Sequence, residues 1–239
     1  MELKLDLHIH SQASPDGRMS LEEIVETARQ AGLQGCAVCD HDQVLTQAPA
    51  FPDFLLIPGV EISTERGHLL GWFVQGPIET RDFHEAVAAI HAQGGLAVLA
   101  HPFEHRRTAE AIDPIAPLLD GVEVWNSRAE RKNSRANAQA EAFAAAHGLR
   151  RFGGSDAHLP REIGHGVTAV EVEEATPSAV RAALLAGNTA VSGRRSRAVD
   201  TARSQFTKRR RSHAGPLSYC KWALFAAKCC LQDLIRKGA

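Results

Sequence analysis

The sequence predicts an α/β protein, because strand-like and helix-like segments alternate along it. Short apolar or alternating runs, bounded by glycine, proline and polar residues, have the length and composition of strands. Segments with helical spacing of apolar residues lie between them, and this alternation is typical of α/β folds. Strands are predicted near residues 3–9, 35–40, 54–62, 67–74, 96–100, 121–125, 150–154 and 167–172. Helices are predicted near residues 20–31, 80–93, 108–119, 133–147 and 177–187.

The first strand and the first helix have the clearest signals. Apolar residues at odd positions alternate with polar residues at even positions over 3–10, which is the period of a strand. The helix that follows begins with a capping box, with Ser20 as N-cap and Glu23 three residues later, and Gly32 ends it. The later strands are short apolar runs that stop at polar residues or at a proline such as Pro102.

Two histidines close the first predicted strand. His8 and His10 are two residues apart, so a strand places both imidazoles on one face. The polar loop over residues 11–17 would allow Asp16 to reach the same cavity. A histidine pair alone is equally consistent with a solvated strand.

Four further motifs place acids or imidazoles at the ends of other predicted strands. His41 follows Asp40, Glu61 ends the run over 54–62, and His101 precedes a proline. Asp156 and His158 follow the strand near 150–154. In barrel-like α/β folds the chemistry gathers at the C-terminal ends of the strands. The agreement of five motifs therefore predicts a hydrolase with several metal ions.

These motifs resemble those of the PHP (polymerase and histidinol phosphatase) superfamily, specifically its small stand-alone phosphoesterases. The resemblance covers about residues 3–193. It implies a distorted, seven-stranded (β/α) barrel that holds two or three Mn, Zn or Fe ions. It also implies that a metal-bound hydroxide attacks a phosphate ester.

The same resemblance implies three sets of metal ligands. One ion would be held by His8, His10, Glu61 and Asp156, a second by Glu61, His68 and His101, and a third by Asp16, His41 and His158. His68 is placed by the strand-like stretch over 68–73 that follows the glutamate. Imidazole and carboxylate ligands without a thiolate suit Mn, Fe(II) and Zn alike and do not choose between them.

Four residues are candidates for catalysis and substrate binding. Asp156 is expected to handle the proton of the nucleophile, with His158 as the alternative if the third metal is absent. Asn126 and Arg128 follow the strand near 121–125, so they are expected at the same rim, where Arg128 could hold a phosphate. An exposed arginine before a helix explains Arg128 equally well.

The charge is divided unevenly along the chain. Residues 1–193 carry 15 lysines and arginines against 26 acids, a net charge of −11, whereas residues 194–239 carry 12 against 2, a net charge of +10. We therefore expect a PHP phosphoesterase domain over 1–193 and a basic C-terminal tail with a helix over 194–239. The tail could dock on its own acidic domain, bind nucleic acid or lie on a membrane surface. Its apolar residues between 217 and 235 favour docking, because they need a surface to cover them.

Cysteine usage and hydropathy indicate a cytoplasmic protein. The five cysteines do not form a disulfide framework and are expected to be reduced thiols. No apolar span of about twenty residues is present, and the N-terminus opens directly into a strand, which leaves no room for a signal peptide.

The sequence thus predicts a metal-dependent phosphoesterase that acts on a small phosphate ester, a nucleotide or a short oligonucleotide. Two alternatives remain: a non-catalytic PHP module that binds metal and stabilises a partner, and a hydrolase of C–N bonds like the related amidohydrolases. The complete ligand set disfavours the first alternative. The lack of a candidate for a carbamylated lysine at a strand end disfavours the second. Neither the substrate nor the oligomeric state is predicted.

Overall fold

Nine strands form one curled sheet in the computed structural model, which describes residues 1–105 and 108–237, apart from the side chains of residues 236 and 237. The strands are β1 (Glu2–Ile9), β2 (Gly35–Val38), β3 (Leu55–Thr64), β4 (Gly67–Trp72), β5 (Leu96–Leu99), β6 (Gly121–Asn126), β7 (Arg150–Gly154), β8 (Gly166–Glu171) and β9 (Thr189–Gly193). Their order in the sheet is β7-β6-β5-β4-β3-β2-β1-β8-β9. The α/β class is therefore confirmed.

Seven α-helices are present in the described part of the chain. They are α1 (Leu21–Gln30), α2 (Phe83–Ala92), α3 (Ser127–Lys132), α4 (Ala136–His147), α5 (Pro177–Ala186), α6 (Ala198–Arg211) and α7 (Pro216–Lys237). The predicted start of α1 is confirmed, because the Ser20 side chain accepts a hydrogen bond from the Glu23 amide.

The strand directions bring six C-terminal ends to one rim. β1, β2 and β3 are parallel neighbours, as are β5, β6 and β7, and β4 lies antiparallel between β3 and β5. Residues at or just after the ends of β1, β2, β3, β5, β6 and β7 can therefore meet across a single opening.

The sheet curls until its β7 edge nearly meets β1 and β8. Trp72 of β4 and Phe152 of β7 pack edge to face with ring centroids 5.1 Å apart, although two strands separate them in the sheet. Ile9 forms a parallel bridge with Ala157, and the Gly153 amide donates to Thr168 Oγ1 at 2.8 Å. The result is a nearly closed, barrel-like α/β sheet.

The strand count differs from the expected seven. The strand β9, which no predicted segment anticipated, is five residues long and half-exposed or exposed throughout, so no apolar run marks it in the sequence. It pairs antiparallel with β8, which supplies the hydrogen bonds that define it.

Two helical expectations also differ. The segment near 108–119 forms two short 3₁₀ helices, Ala109–Ala111 and Asp113–Leu118, instead of one α-helix. Pro114 and Pro117 lack the amide hydrogen that an α-helix needs there. The short helix α3 was not predicted, and it begins directly at the end of β6.

The basic tail forms two helices, α6 and α7, that pack against each other. Ala198, Ala202 and Cys229 are buried between them, and the Trp222 indole donates to the Ala202 carbonyl at 2.7 Å. The expectation that docking covers the apolar residues between 217 and 235 is wrong for most of them. Five are at least half exposed: Leu217, Leu224, Leu231, Leu234 and Ile235. Residues 238 and 239 of the predicted tail lie outside the described residues.

Within residues 1–105 and 108–237, no helix has the combined length and apolar character needed to cross a membrane.

Candidate metal centre

A buried glutamate lies at the centre of the rim. Glu61 of β3 is 1% exposed, and five imidazole rings surround its carboxylate, two from the end of β1 and three from other parts of the fold. Near Oε1 lie His68 Nδ1 at 2.7 Å and His101 Nε2 at 2.9 Å. Near Oε2 lie His41 Nδ1 at 2.8 Å, His10 Nε2 at 3.4 Å and His8 Nε2 at 3.6 Å. The structure therefore brings the predicted motifs together around one carboxylate.

Three groups of side chains have ligand atoms close enough to share an ion. They are His8, His10 and Asp156; Glu61, His68 and His101; and His10, His41 and His158. The second matches its expected set. The first matches except for Glu61, whose Oε2 lies 3.6 Å from His8 Nε2 and 3.4 Å from His10 Nε2. In the third, His10 stands where Asp16 was expected, although Asp16 Oδ1 lies close by, 3.6 Å from His41 Nε2 and 3.3 Å from His158 Nε2. All nine predicted ligands thus lie in one cluster.

Hydrogen bonds orient three of the imidazoles. His8 Nδ1 lies 3.1 Å from Glu123 Oε1, and His10 Nδ1 lies 3.0 Å from Ser14 Oγ. His158 Nδ1 lies 2.9 Å from the Asp156 carbonyl oxygen. If these nitrogens carry the ring protons, each Nε2 is left with a lone pair that faces the cluster. Such partners commonly fix the tautomer and direction of metal-binding histidines.

Several buried polar atoms of the cluster face neighbouring imidazoles or carboxylates at 2.7–3.6 Å without the geometry of a hydrogen bond, and no other described residue partners them. They are Asp16 Oδ1, Glu61 Oε2 and His68 Nδ1. The Nε2 atoms of His8 and His10 also face each other at 3.1 Å. Buried polar atoms are normally satisfied, and a divalent cation would satisfy these carboxylate and imidazole lone pairs together. The residues present therefore fit a metal centre.

The electrostatics of the cluster also favour positive charge. Burial disfavours the Glu61 carboxylate, yet the imidazoles of His41, His68 and His8 hold its pKa well below its usual range. Burial disfavours a protonated His41, but the charges of Glu61 and Asp16 raise its pKa to about 9. His101 behaves alike: burial is outweighed by Glu104 and Glu61, and its pKa rises to about 9. Without a metal ion, protons supply the charge that the carboxylates require.

Two cluster residues have backbone conformations that non-glycine residues rarely adopt. His101 has φ of 27° and Asp156 has φ of 56°. Strained backbone of this kind concentrates at functional sites, where the surrounding structure holds it. Each of these residues lies two positions after the end of a strand. The change of chain direction there points its side chain into the rim.

The close approach of β7 to β1 depends on a glycine. A Cβ atom on Gly154 would lie 2.4 Å from His8 Cβ and 2.8 Å from Glu123 Oε1. Any side chain at this position would therefore displace His8 or the carboxylate that orients it.

Asn126 does not reach the cavity as its position after the strand suggested. It is fully buried, its Nδ2 donates to Glu123 Oε2 at 2.9 Å, and its Oδ1 accepts from the amides of Arg128 and Ala129. Its contacts are those of a helix cap that also holds Glu123, so they give no support to a role in substrate binding.

Arg128 lines the cavity, but its guanidinium is already engaged. Nε and Nη2 donate to the two carboxylate oxygens of Glu162 at 3.0 and 2.7 Å, and Nη1 donates to Ser204 Oγ at 3.1 Å. The fork expected to hold a phosphate therefore binds an internal carboxylate.

Sequence reasoning missed the residues that support the ligands. Glu123 contacts His8 across 115 positions of sequence and accepts from the His101 amide at 3.0 Å with its second oxygen. Asp40, next to His41, accepts from the amides of Ser11 and Ser14 and so shapes the loop that carries Asp16. Glu123 had one signal, since it is an acid between the apolar residues Val122 and Val124 of a buried strand.

Comparison with known proteins decides the family. A family model described as PHP-associated matches residues 134–189. An uncharacterised protein of Methanocaldococcus jannaschii is 30% identical over 176 residues, which cover 68% of this chain and 68% of that protein. The chain belongs to the PHP superfamily.

Two solved structures share the PHP fold at low sequence identity. One is a two-domain protein from Bacteroides vulgatus that contains a predicted PHP-like metal-dependent phosphoesterase, with a TM-score of 0.63 and 22% identity over 81% of this chain. The other is the lesion-specific endonuclease Q from Pyrococcus furiosus, with a TM-score of 0.60 and 20% identity over 80% of this chain. The present chain spans 65% of the first protein and 58% of the second.

Proposed function

We propose that this protein is a metal-dependent phosphoesterase. The observation that carries the proposal is the convergence of eight other imidazole and carboxylate side chains around Glu61, with ligand atoms in three groups that could each hold an ion. Mn, Zn and Fe(II) all suit this nitrogen and oxygen donor set. The phosphoesterase and endonuclease named among the structural relatives support the choice of a phosphate ester as substrate.

The proposed ligands would bind two or three ions. His8, His10 and Asp156 would hold one ion, His68 and His101 a second, and Glu61 would contribute an oxygen to each. Asp16, His41 and His158 would hold a third. Ions bound there would lower the pKa of a coordinated water and neutralise charge on the phosphoryl oxygens.

Two residues are proposed to move protons. Burial opposes ionisation of Asp156, but nearby His8, His10 and His158 hold its pKa well below its usual range, so it is ionised at neutral pH. This low pKa reduces its basicity, but bound ions would lower the pKa of the attacking water as well, so Asp156 would take that water's proton and pass it to the leaving oxygen. His158 Nε2 faces Asp16 at the cavity while its Nδ1 is held by the Asp156 carbonyl. With two ions bound, His158 Nε2 would be the alternative group that takes the proton of the attacking water and passes it to the leaving oxygen, whereas with three ions it would be a ligand.

A combined test of metal content and substrate class addresses the proposal. The protein is expressed in cells grown in medium supplemented with Mn, and its metal content is measured. It is then assayed with phosphate monoesters, phosphodiesters and cyclic amides before and after chelation. We expect at least two metal equivalents per chain and phosphate-ester hydrolysis that chelation abolishes and Mn restores. Hydrolysis of a cyclic amide but of no phosphate ester would replace the proposal by C–N hydrolysis. Metal binding without any turnover would favour the non-catalytic module.

A further inference from the structure

One face of α6 forms a wall of the cavity above the histidine cluster. Thr201, Gln205 and Lys208 line the same cavity of about 180 Å³ as Glu61 and the cluster imidazoles. Their spacing of four and three residues places the three side chains on a single helix face. The tail therefore contributes directly to the surroundings of the proposed metal centre.

Contacts at several points hold α6 in this position. Arg211 Nη1 donates to the carbonyl oxygens of Gln12 at 2.8 Å and Ser14 at 2.6 Å, on the loop that carries Asp16. Ser204 accepts from Arg128, and Asp200 pairs with Arg161. Because these anchors lie along the length of the helix, its inner face is fixed relative to the rim.

The polar groups on this face have unused binding capacity. Thr201 is 6% exposed, and its hydroxyl oxygen has no hydrogen-bond partner among the residues that the structure describes. Gln205 Oε1 accepts from Arg209 at 3.2 Å, which leaves the Gln205 amide nitrogen for another partner. A buried hydroxyl without a partner destabilises the protein in the absence of a ligand, and a bound polar ligand would offset that cost.

Among the described residues, the positive charge available to a ligand comes mainly from one side chain. Within that part of the chain, Arg128, Lys132 and Lys208 are the lysines and arginines that line the cavity. Arg128 is paired with Glu162, and Lys132 is paired with Glu104. Lys208 has no ion pair in the described part of the chain, so it is the side chain free to bind an anionic group.

We infer that Thr201, Gln205 and Lys208 form a substrate-binding wall that selects a small phosphate monoester. In this arrangement Lys208 contacts the phosphoryl group, and Thr201 and Gln205 bind polar atoms next to it. The inference rests on the proposed phosphoesterase function and names the substrate class of that site. The cavity of about 180 Å³ is smaller than the roughly 300–1,000 Å³ of pockets for drug-sized ligands, so it suits a phosphoryl group with a small attached group.

The first test compares two cation-removing variants of the same helix. Lys208→Met removes the charge from the cavity, whereas Arg210→Met removes a charge from an exposed site elsewhere on α6. Binding of inorganic phosphate to the Mn-loaded protein is measured by calorimetry, together with KM and kcat for p-nitrophenyl phosphate. We expect Lys208→Met to raise Kd and KM at least about tenfold, equivalent to about 1.4 kcal/mol, and Arg210→Met to change them less than about twofold. Equal effects of the two variants would overturn the inference.

A second test separates binding from structural support. Thr201→Val keeps the shape of the side chain but removes its unpartnered hydroxyl. Since that hydroxyl has no internal partner, the melting temperature should stay constant or rise while KM increases. A lower melting temperature with unchanged KM would show that the hydroxyl serves the fold instead, and would remove Thr201 from the wall.

The outcomes distinguish failure of the wall from failure of the function. Phosphate-ester hydrolysis that is insensitive to Lys208→Met would reject the wall and leave the proposed function standing. Phosphate binding that depends on Lys208, without hydrolysis of any phosphate ester, would reject the function and leave the wall standing. Cleavage of internal phosphodiesters in duplex DNA at least as fast as a monoester would overturn the selection for small substrates.

Discussion

Glu61 is the side chain on which the candidate site depends most. Its two carboxylate oxygens face different imidazoles, with His68 and His101 near one oxygen and His41 near the other. A carboxylate in this position can bridge two ions. Replacement by the isosteric amide would remove the bridging charge and turn an N–H group toward lone pairs.

Glu61→Gln is therefore expected to lose at least one metal equivalent and more than tenfold in kcat/KM, or over about 1.4 kcal/mol. Elemental analysis and steady-state kinetics measure the two effects. Glu171→Gln, an exposed residue at the end of β8, is the matched control and should behave as the unaltered protein. Full metal content with a loss smaller than tenfold would show that Glu61 is not a bridge.

The pKa values of two cluster imidazoles determine how the metal affinity is expected to change with pH. His41 and His101 both have a pKa of about 9 in the metal-free protein, so both are protonated at neutral pH. A metal ion must displace these protons to bind, and its apparent affinity therefore rises as the pH rises toward 9. Below that pH, each displaced proton contributes up to about a tenfold change in affinity per pH unit.

Calorimetric titration with Mn or Zn in buffers of different ionisation enthalpy measures both the affinity and the proton release. Proton release near neutral pH, together with tighter binding at about pH 8 than at about pH 6.5, is the expected result. Affinity that is independent of pH, with no proton release, would mean that neither imidazole is a ligand.

At the scale of elements, the strand-end positions of the site could be predicted, whereas its supporting contacts could not. His8, His101 and Asp156 lie at or near strand ends because parallel strands present their C-terminal ends to one rim. Glu123 could not be matched to His8, since their contact depends on how β6 and β1 curl toward each other. The position of α6 over the rim could not be predicted from the charge of the tail either, because it also depends on contacts between parts of the chain that are distant in sequence.

Gly154 lies where β7 approaches β1, and the close packing there predicts that a larger residue at this position would destabilise the protein. Gly154→Ala would place a methyl group 2.4 Å from His8 Cβ, so we expect a destabilisation of about 1–3 kcal/mol and weaker metal binding. Gly215→Ala is the control, because a Cβ atom there would meet no atom within 4 Å. Thermal melts with and without metal report the result. Equal stability of the two variants would show that the strands can separate without cost.

At the scale of the whole molecule, the acidic and basic parts of the chain meet. Basic side chains of the tail contact residues 1–193: Arg195 donates to the Glu130 carbonyl at 2.7 Å, and Arg211 donates to the carbonyl oxygens of Gln12 and Ser14. An arm that binds nucleic acid with its basic run would leave these groups free. The contacts therefore favour docking among the three interpretations of the tail, although the apolar face of α7 remains exposed.

Deletion of residues 198–239 separates docking from nucleic-acid binding. If α6 docks on the barrel, the deletion removes its contacts with Arg128, Arg161 and the loop at 11–17. The melting temperature should then fall by at least about 5 °C. For chains of this size, a change of roughly 2–4 °C corresponds to 1 kcal/mol. Phosphate affinity should fall as well, because the deletion removes Lys208. Oligonucleotide binding should change its salt dependence by no more than the single contact that Lys208 supplies, a change in log–log slope of at most about 0.9.

An electrostatic arm predicts the opposite pattern. Deletion of such an arm would leave the melting temperature unchanged. It would also reduce the log–log salt slope of oligonucleotide binding by several times about 0.9, because the basic run over 208–211 would no longer contact several phosphates. A variant without the deletion, in which the exposed residues Arg210, Lys221 and Lys228 are changed to serine, provides the control. These three side chains carry charge without anchoring α6, so under docking the variant keeps the melting temperature and the phosphate affinity of the unaltered protein. If it instead loses oligonucleotide affinity as strongly as the deletion does, the tail acts on nucleic acid and its contacts with the barrel are secondary.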